Sequence, residues 1–332
     1  MLPQVSRTYA ITIALLPPRL AHAVSMAYLL CGVADTIEDC ELMDAPTKQR
    51  LLAIYANAVQ EERDEIPELA EAFAGPRMPD EELARDVHHV MASYKAMEKP
   101  QRDAILPWLL EMCKGMAGFA TRHDKARPGH VEALDTVDDL DSYCYYVAGT
   151  VGHILTELYR ADHHRVTERH YARMKPLSTS FGVGLQMTNI MKDVADDRQR
   201  GWMYVPREFC AAAGTTPEQF LDPDMAPQAK QVMDMMMRKA GRHLRDGLDF
   251  CLTLPRSQYR MRVSSMSPLF FAVRTLAVAA QDPKLLDPSH KVKISRKEVK
   301  KIVRDIYLVA PNNNLVRNYF RRLAAGAPVP HR

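Results

Sequence analysis

The sequence has little glycine and few cysteines, 14 and six residues respectively among 332. So little glycine argues against collagen-like and low-complexity chains, and 47% apolar residues suffice for the core of one large or two ordinary domains. No two cysteines form a CxxC pair, which excludes the usual zinc and redox-pair motifs. Cysteines without such spacing are typical of a reducing compartment.

A strong excess of charge is also missing, since 44 basic and 41 acidic residues leave a net charge of +3. This balance argues against an extended contact with nucleic acid. No apolar run reaches the roughly 18 uncharged residues of a membrane span, and the N-terminal run that starts at Ile11 ends at Pro17. We expect a cytoplasmic protein without a transmembrane anchor, able to contact the inner face of the membrane through the basic segment Tyr319–Leu323. The sequence gives no sign of oligomeric state.

Apolar residues recur three and four positions apart in most windows, so the sequence predicts an all-α protein. Turn signals such as Pro17-Pro18 and Asp282-Pro283 separate helices without marking a domain boundary. The acidic segment Glu61–Glu82 is interpreted as a solvated surface connection. We therefore predict a single helical domain over residues 1–332.

The apolar segment 21–34 continues in helical register into the acidic sequence DTIED at 35–39. Asp35 and Asp39 are four residues apart, so a helix places them one turn apart on the same face, with Glu38 beside them. Like charges at this spacing repel each other, and a divalent cation would turn that repulsion into attraction. A single pair of this kind is more often a solvated helix end.

A second apolar helix, predicted over 181–197, repeats the pattern. Its polar residues share one stripe because they follow at spacings of three, four and four: Gln186, Asn189, Asp193 and Asp197. Polar groups on a buried helix need partners, and carboxylate and amide oxygens suit Mg²⁺ or Mn²⁺, which keep water and recruit phosphate ligands. Two such motifs on apolar helices are hard to explain by chance.

Basic residues accompany both motifs. Arg7, which follows Ser6, precedes the first motif, and Lys192, Arg198 and Arg200 lie within or just after the second. Each cation alone is typical of a solvated surface. Together with metal-bound carboxylates, they indicate a diphosphate site in which metal ions stabilise the leaving group. The chemistry we expect is ionisation of an allylic diphosphate in a dry helical cavity.

Three tyrosines precede small residues in the segment YCYYVAGTVG at 143–152. Tyrosines at this density are usually core residues with a polar tip. If one of them faces the metal site, its hydroxyl can move a proton beside a carbocation. The spacing leaves open which tyrosine that is.

The segments DTIED at 35–39, YCYYVAGTVG at 143–152 and QMTNIMKDVADDRQRGWMYVP at 186–206 resemble motifs of the squalene and phytoene synthase family. The resemblance extends from Ser6-Arg7 to Lys291-Val292-Lys293-Ile294 and covers most of the chain. It implies an all-α, single-domain isoprenoid-synthase bundle with a central active-site cavity. Such enzymes join two prenyl diphosphates head to head with Mg²⁺ or Mn²⁺.

The resemblance also implies roles for individual residues. The metal ligands would be Asp35, Asp39, Asp193 and Asp197. The diphosphate contacts would be Ser6, Arg7, Gln186, Asn189, Lys192 and Arg198. Tyr143 matches the family's catalytic tyrosine, thought to help remove a proton, and Tyr28 matches a second cavity tyrosine.

Within the family, DTIED and the YVAG form are more similar to squalene synthases than to carotenoid-forming members. This similarity implies that two molecules of farnesyl diphosphate form presqualene diphosphate, which NADPH then reduces. The cofactor would lie near Lys291, Lys293 and Arg296. No Rossmann fold is implied, since Gly182-Val183-Gly184 lacks the third glycine of that fingerprint.

Three features depart from the family's pattern. Gly32 and Lys192 stand where many members have arginine, and lysine lacks arginine's bidentate fork. Arg262-Val263-Ser264 replaces aromatic residues that eukaryotic squalene synthases carry before a proline aligned with Pro268. The hydrophobic C-terminal anchor of those enzymes has no counterpart in this sequence.

Three alternatives remain open. A dehydrosqualene or phytoene synthase would stop without reduction. A non-catalytic relative acting as an assembly factor would show eroded aspartate motifs, whereas all four aspartates are present here. A terpene cyclase that uses one diphosphate would not explain the second motif or the YVAG tyrosines.

Overall fold

The structure, a computed structural model, describes residues 7–75, 78–123, 131–162 and 166–330. Its α-helices are α1 (Arg7–Ala14), α2 (Pro18–Asp39), α3 (Ala45–Gln60), α4 (Pro67–Ala72), α5 (Pro79–Arg85), α6 (Val87–Lys95), α7 (Lys99–His123), α8 (Val137–Cys144), α9 (Thr150–Asp162), α10 (Glu168–Met174), α11 (Ser178–Gln199), α12 (Arg207–Ala212), α13 (Ala226–Thr253), α14 (Tyr259–Gln281), α15 (Arg296–Val309) and α16 (Asn313–Leu323). A π-helix, Tyr145–Gly149, follows α8, and short 3₁₀ turns occupy Lys175–Leu177 and Pro223–Met225. The strands β1 (Glu132–Ala133) and β2 (Trp202–Met203) form a parallel pair. The all-α prediction is confirmed.

Contacts between Cα atoms group the chain into two compact units. The first unit comprises Met1–Asp124 and Thr150–Lys175, and the second comprises Lys125–Gly149 and Pro176–Arg332. The two aspartate motifs therefore belong to different units. The prediction of a single domain over the whole chain stays a prediction.

In the first unit, α2 packs against α5, α6, α7 and α9, and α3 lies along α7. α2 begins at Pro18, where a proline is tolerated because the first helical N–H groups have no partner within the helix. Its apolar residues, such as Leu30 and Val33, are buried. This burial fixes the helix that ends in the first aspartate motif.

The second unit is built around α11, which packs against α13, α14 and the π-helix. Gly182 allows the contact with the π-helix, because a Cβ atom at this position would lie 1.9 Å from the carbonyl oxygen of Ala148. Such a distance is far below van der Waals contact, so a larger residue would push the two helices apart. The helix of the second motif is thus fixed directly against the segment that follows Tyr143.

The acidic segment Glu61–Glu82 is more than the surface connection expected from its composition. It contains α4 and the first residues of α5. Ile66, Leu69 and Phe73 are 2%, 0% and 4% exposed and belong to the core. The interpretation was wrong for these positions, because a few apolar residues within an acidic segment are enough to pack short helices.

Two helices, α2 and α14, are long and apolar enough to cross a membrane by length and composition. The sequence shows no membrane-length run when only uninterrupted uncharged residues are counted. Both helices reach the length and hydropathy of a membrane span when a few charged residues are allowed. In α2, 56% of the apolar window is buried inside the structure, and in α14 the share is 78%. Buried core helices pass the same test, so the finding is weak support for a membrane span.

Arg262 is fully buried, at 0% exposure, in the first turn of α14. Its guanidinium donates to the carbonyl oxygens of Leu254 at 2.7 Å and Ala310 at 2.9 Å. It also donates to Asn313 Oδ1 at 2.7 Å. The arginine that replaces an expected aromatic residue therefore joins the end of α13 to the turn between α15 and α16.

Candidate active site

The first aspartate motif forms the last turn of α2. Asp35 and Asp39 are both accessible to water, whereas Glu38 is 2% exposed. The helix brings the two aspartates to one face, as their spacing predicts. Two carboxylates one turn apart are thus presented together at the end of a buried helix.

Asp35 sits in a strongly electronegative environment. Desolvation by surrounding protein, followed by repulsion from Asp39 and Asp80, raises the pKa of Asp35 to about 8. Asp80 lies in the first turn of α5, and burial together with Asp39 raises its pKa as well. Thr36 Oγ1 donates to the carbonyl oxygen of Asp80 at 3.4 Å, which places α5 beside the motif. A bound cation would relieve this repulsion.

Asp80 was not predicted from the sequence. It lies in a run of acidic residues at the start of a short helix, where acidic side chains are common for local reasons. Its approach to Asp39 depends on the packing of α5 against α2. No local pattern could have indicated that contact.

Replacing Asp35 with asparagine is expected to raise the melting temperature of the metal-free protein by a few degrees. The folded-state pKa of about 8 lies above the unfolded value near 4, so stability present at low pH is lost as pH rises through this window. Asparagine cannot ionise, so the difference between variant and wild type should grow from about pH 4 to about pH 8. Calorimetry in the presence of a chelator measures it.

The matched control for this experiment is Asp103→Asn, because Asp103 is an exposed carboxylate paired with Lys99 on α7. This substitution should leave the pH dependence of melting unchanged. Added Mg²⁺ should stabilise the wild type and not the Asp35→Asn variant. A variant less stable than wild type at every pH would contradict the proposed repulsion at Asp35.

The other residues singled out in the first unit are Tyr28, Ser6, Arg7 and Gly32. Tyr28 is half-buried on α2, two turns before Asp35 and on the same side of the helix. Ser6 lies outside the described residues, and only the backbone of Arg7 is described, as the first residue of α1. Gly32 packs beside Leu83, whose Cδ2 lies 3.4 Å from where a Cβ would stand.

The second aspartate motif lies on α11. The helix places its polar residues along one stripe, as predicted, but with different exposure. Asn189 is exposed, Gln186 and Asp193 are half-buried, and Asp197 is 7% exposed. The opposite side of α11, including Met187 and Met191, is buried at 0% exposure. The stripe from Gln186 to Asp193 is therefore open to ligands, whereas Asp197 at its end is buried.

Each acidic residue of this motif pairs with a cation. Lys192 contacts Asp193, and Arg200 contacts Asp197. Lys291 Nζ lies 2.8 Å from an oxygen of Asp196, and this contact raises the pKa of Lys291. The basic segment predicted to bind the cofactor therefore lies beside the last turns of α11. Asp196 was not singled out from the sequence, although its place between two metal-ligand candidates is visible there.

Arg198 makes contacts other than those expected. Its Nε donates to the carbonyl oxygen of Pro217 at 2.7 Å, and its Nη2 donates to that of Glu218 at 2.8 Å. Both contacts hold a turn after α12, so this guanidinium is engaged away from the carboxylates. Arg200 is the arginine that contacts the motif. Lys293 and Arg296 are exposed on the segment that follows Lys291.

Tyr143 is 5% exposed at the end of α8 and stacks on Tyr204, with ring centroids 4.6 Å apart. The next five residues form the π-helix, an uncommon element that occurs frequently at functional sites. Gly182 of α11 contacts this π-helix. Tyr143 is therefore held in a fixed position within the unit that also carries Asp193.

A cavity of about 350 Å³ opens within the second unit, beside the π-helix segment. It is lined by Asp141, Ser142, Tyr145, Tyr146, Thr179, Val183 and His243. Two tyrosines of the 143–152 segment are part of this lining, but among the described residues none with an individually assigned role lines it. The cavity is therefore not assigned to the predicted chemistry.

The donor set of the two motifs fits a metal that is shared with a substrate. Within residues 7–75, 78–123, 131–162 and 166–330, no three His, Cys, Asp or Glu side chains are arranged to hold an ion by themselves. Mg²⁺ is usually held by one or two carboxylates, with water and substrate phosphates as the other ligands. A pair of aspartates on one helix face meets that requirement.

Comparisons with a family model, with curated proteins and with solved structures all indicate the same family. The family model described as squalene/phytoene synthase matches residues 2–298. The probable squalene synthase of Neurospora crassa is 28% identical, over 96% of this chain and 63% of its own length. The inactive squalene synthase 2 of Arabidopsis thaliana is also 28% identical, over 84% of this chain and 63% of its own length.

Among solved structures, the complex of TcSQS with the ligand E5700 superposes with a TM-score of 0.82 and 26% identity, covering 97% of this chain and 89% of that one. This likeness confirms the predicted helical isoprenoid-synthase fold. The chain spans about three fifths of the length of the curated relatives, 63% in both cases. On the family match over residues 2–298, the chain belongs to the squalene/phytoene synthase family.

Proposed function

We propose that this protein is a squalene synthase, a prenyltransferase that joins two molecules of farnesyl diphosphate and reduces the product with NADPH. The observation that carries the proposal is the presence of two intact aspartate pairs, Asp35 with Asp39 and Asp193 with Asp197, each on one face of its helix. The similarity to squalene synthases supports the same activity.

In the first step, the C–O bond of one farnesyl diphosphate breaks and diphosphate leaves. The double bond of the second molecule attacks the carbocation, and loss of a proton closes the cyclopropane of presqualene diphosphate. Metal ions supply charge stabilisation of the leaving diphosphate when bound. Asp35, Asp39, Asp193 and Asp197 would hold those ions. Lys192 and Arg200, already beside the second pair, would stabilise the negative charge that develops on the leaving group.

Tyr143 is the residue proposed to move the proton. Its ring is fixed by stacking on Tyr204, so its hydroxyl can be held at one position relative to the substrate.

In the second step, presqualene diphosphate would lose its diphosphate and rearrange, and NADPH, when bound, would supply the hydride that completes squalene, leaving NADP⁺. Lys291, Lys293 and Arg296 are proposed to bind the cofactor's phosphates. The contact between Lys291 and Asp196 supports this role, because it places the basic segment beside the second aspartate motif. We also propose a cytoplasmic location with peripheral membrane contact.

A second candidate is a dehydrosqualene or phytoene synthase, which stops without reduction. The observation that favours it is Arg262, which fills an expected aromatic position and binds backbone carbonyl groups instead. A non-catalytic role is disfavoured by the four retained aspartates, although a relative of equal identity is an inactive squalene synthase.

The decisive assay incubates purified protein and Mg²⁺ with farnesyl or geranylgeranyl diphosphate, with and without NADPH, and identifies the hydrocarbon by mass spectrometry. We expect squalene from farnesyl diphosphate only when NADPH is present. The same conjugated triene with and without NADPH would establish the second candidate. No turnover of either substrate would support the non-catalytic alternative.

A further inference from the structure

Positive charge is concentrated near the C-terminal end of the described chain. Residues 291–323 contain ten Lys and Arg residues and two acidic ones, a net charge of +8, whereas the whole chain carries +3. The remainder of the chain is therefore net negative, at −5. This segment includes α15 and α16, so the charge is presented on folded helices. Such an asymmetry directs one part of a protein toward an anionic partner.

Large apolar side chains are exposed within this basic region. Tyr307, Leu308 and Leu315 are 41%, 72% and 48% exposed. They flank the turn between α15 and α16, and we refer to these three residues as the corner surface. Seven large apolar residues are exposed in the described parts of the chain, so this turn accounts for three of them. Such a concentration is unusual, since single exposed apolar residues are ordinary and neighbouring ones indicate contact with a partner.

The corner surface rests on a firmly bonded support. Arg262, fully buried, donates to the Ala310 carbonyl and to Asn313 Oδ1, which lie between Leu308 and Leu315 in the chain. Tyr259 Oη donates to the carbonyl oxygen of Tyr307 at 2.6 Å. The apolar side chains are therefore presented by fixed backbone, which reduces the ordering cost of binding.

Exposed arginines lie close to the corner surface, either because they are near it in the chain or because they adjoin a residue that contacts it. Arg260 adjoins Tyr259, which contacts Tyr307, and Arg256 lies in the turn just before α14; both arginines are exposed. Arg304 is one turn before Leu308 and is also exposed. The nearby carboxylate of Asp305 is buried and contacts Lys301 and Arg304. The exposed charge around the apolar residues is therefore positive.

We propose that the corner surface docks on an anionic phospholipid bilayer, with Leu308 and Leu315 inserted among the lipids and the arginines against the headgroup phosphates. The combination of exposed aliphatic side chains with exposed cations identifies the partner. Cations alone would also fit nucleic acid, but aliphatic side chains gain nothing from a phosphate backbone. An anionic lipid interface binds both the cations and the aliphatic side chains, because it offers negative charge beside hydrocarbon. The docking rests on the peripheral membrane contact proposed above, and it is independent of the catalytic proposal.

The test is flotation of the full chain with vesicles of phosphatidylcholine, with and without phosphatidylglycerol. We expect binding to the anionic vesicles, weakened by added salt, and little binding to the neutral ones. Leu308→Ser combined with Leu315→Ser should lower the partition coefficient about tenfold or more. The matched control is Leu42→Ser, since Leu42 is 75% exposed in the first unit, outside the corner surface.

A charge-removing pair, Arg256→Gln with Arg260→Gln, should weaken binding to anionic vesicles, whereas Lys99→Gln with Lys230→Gln, at other exposed sites, should not. Unchanged melting temperatures would show that the variants fold. Failure of the wild type to bind anionic vesicles would overturn the proposal, and so would unchanged binding by the double serine variant. Concentration-dependent dimers that the serine pair abolishes, without vesicle binding, would identify a second copy as the partner.

Discussion

Asp35→Asn and Asp193→Asn are each expected to lower turnover of farnesyl diphosphate on the order of a hundredfold or more. Either change removes a carboxylate charge that would help hold a metal ion on the leaving diphosphate. The effect should fall on the rate constant for diphosphate release, because charge stabilisation matters most as the C–O bond breaks. Single-turnover measurement of diphosphate release under saturating substrate tests this directly.

Two controls separate this effect from a general loss of acidic charge. Asp103→Asn in the first unit and Asp234→Asn in the second remove carboxylates that pair with Lys99 and Lys230 on their own helices. Both control variants should keep nearly full turnover. Raised Mg²⁺ should partly restore the motif variants if weaker metal binding causes their defect. Near-normal activity of both motif variants would disprove the metal-binding roles.

Tyr143→Phe is expected to slow formation of presqualene diphosphate by about a hundredfold, the lower range for loss of a proton-transfer group. Substrate binding should change little, because the ring and its stacking on Tyr204 are retained. Pre-steady-state kinetics with farnesyl diphosphate separates the two steps. Tyr143→Phe should slow the conversion of added presqualene diphosphate less than it slows the formation of presqualene diphosphate.

Tyr145→Phe is the appropriate comparison, since Tyr145 is a neighbouring tyrosine that lines the separate cavity. It should leave the coupling rate almost unchanged. If Tyr143→Phe instead lowers the melting temperature and substrate affinity together, then Tyr143 is a core residue and another group moves the proton.

The local parts of the site were predictable from the sequence. A helix repeats every 3.6 residues, so residues four apart share a face, and the structure places Asp35 with Asp39 and Asp193 with Asp197 on α2 and α11 as that period requires. The helical fold was predictable for the same reason. These features depend on one helix at a time, which is why the spacing of residues was enough.

Contacts between distant segments were not predictable. Asp80 reaches the first motif through the packing of α5 on α2, and Lys291 reaches Asp196 from a segment far along the chain. Nothing in the local sequence of either residue indicates its partner. The π-helix also escaped prediction, because one wider turn leaves the apolar pattern almost unchanged.

The buried Arg262 has a consequence for where this chain can be shortened. The family match ends at residue 298, yet the oxygen atoms of Ala310 and Asn313 that accept hydrogen bonds from Arg262 lie beyond that boundary. A truncated version ending at the family boundary would leave the guanidinium with the carbonyl of Leu254 and without its two later acceptors, and a buried charge with missing partners destabilises the folded state. A shortened chain that keeps all three of these groups paired with Arg262 must therefore extend through the first turn of α16.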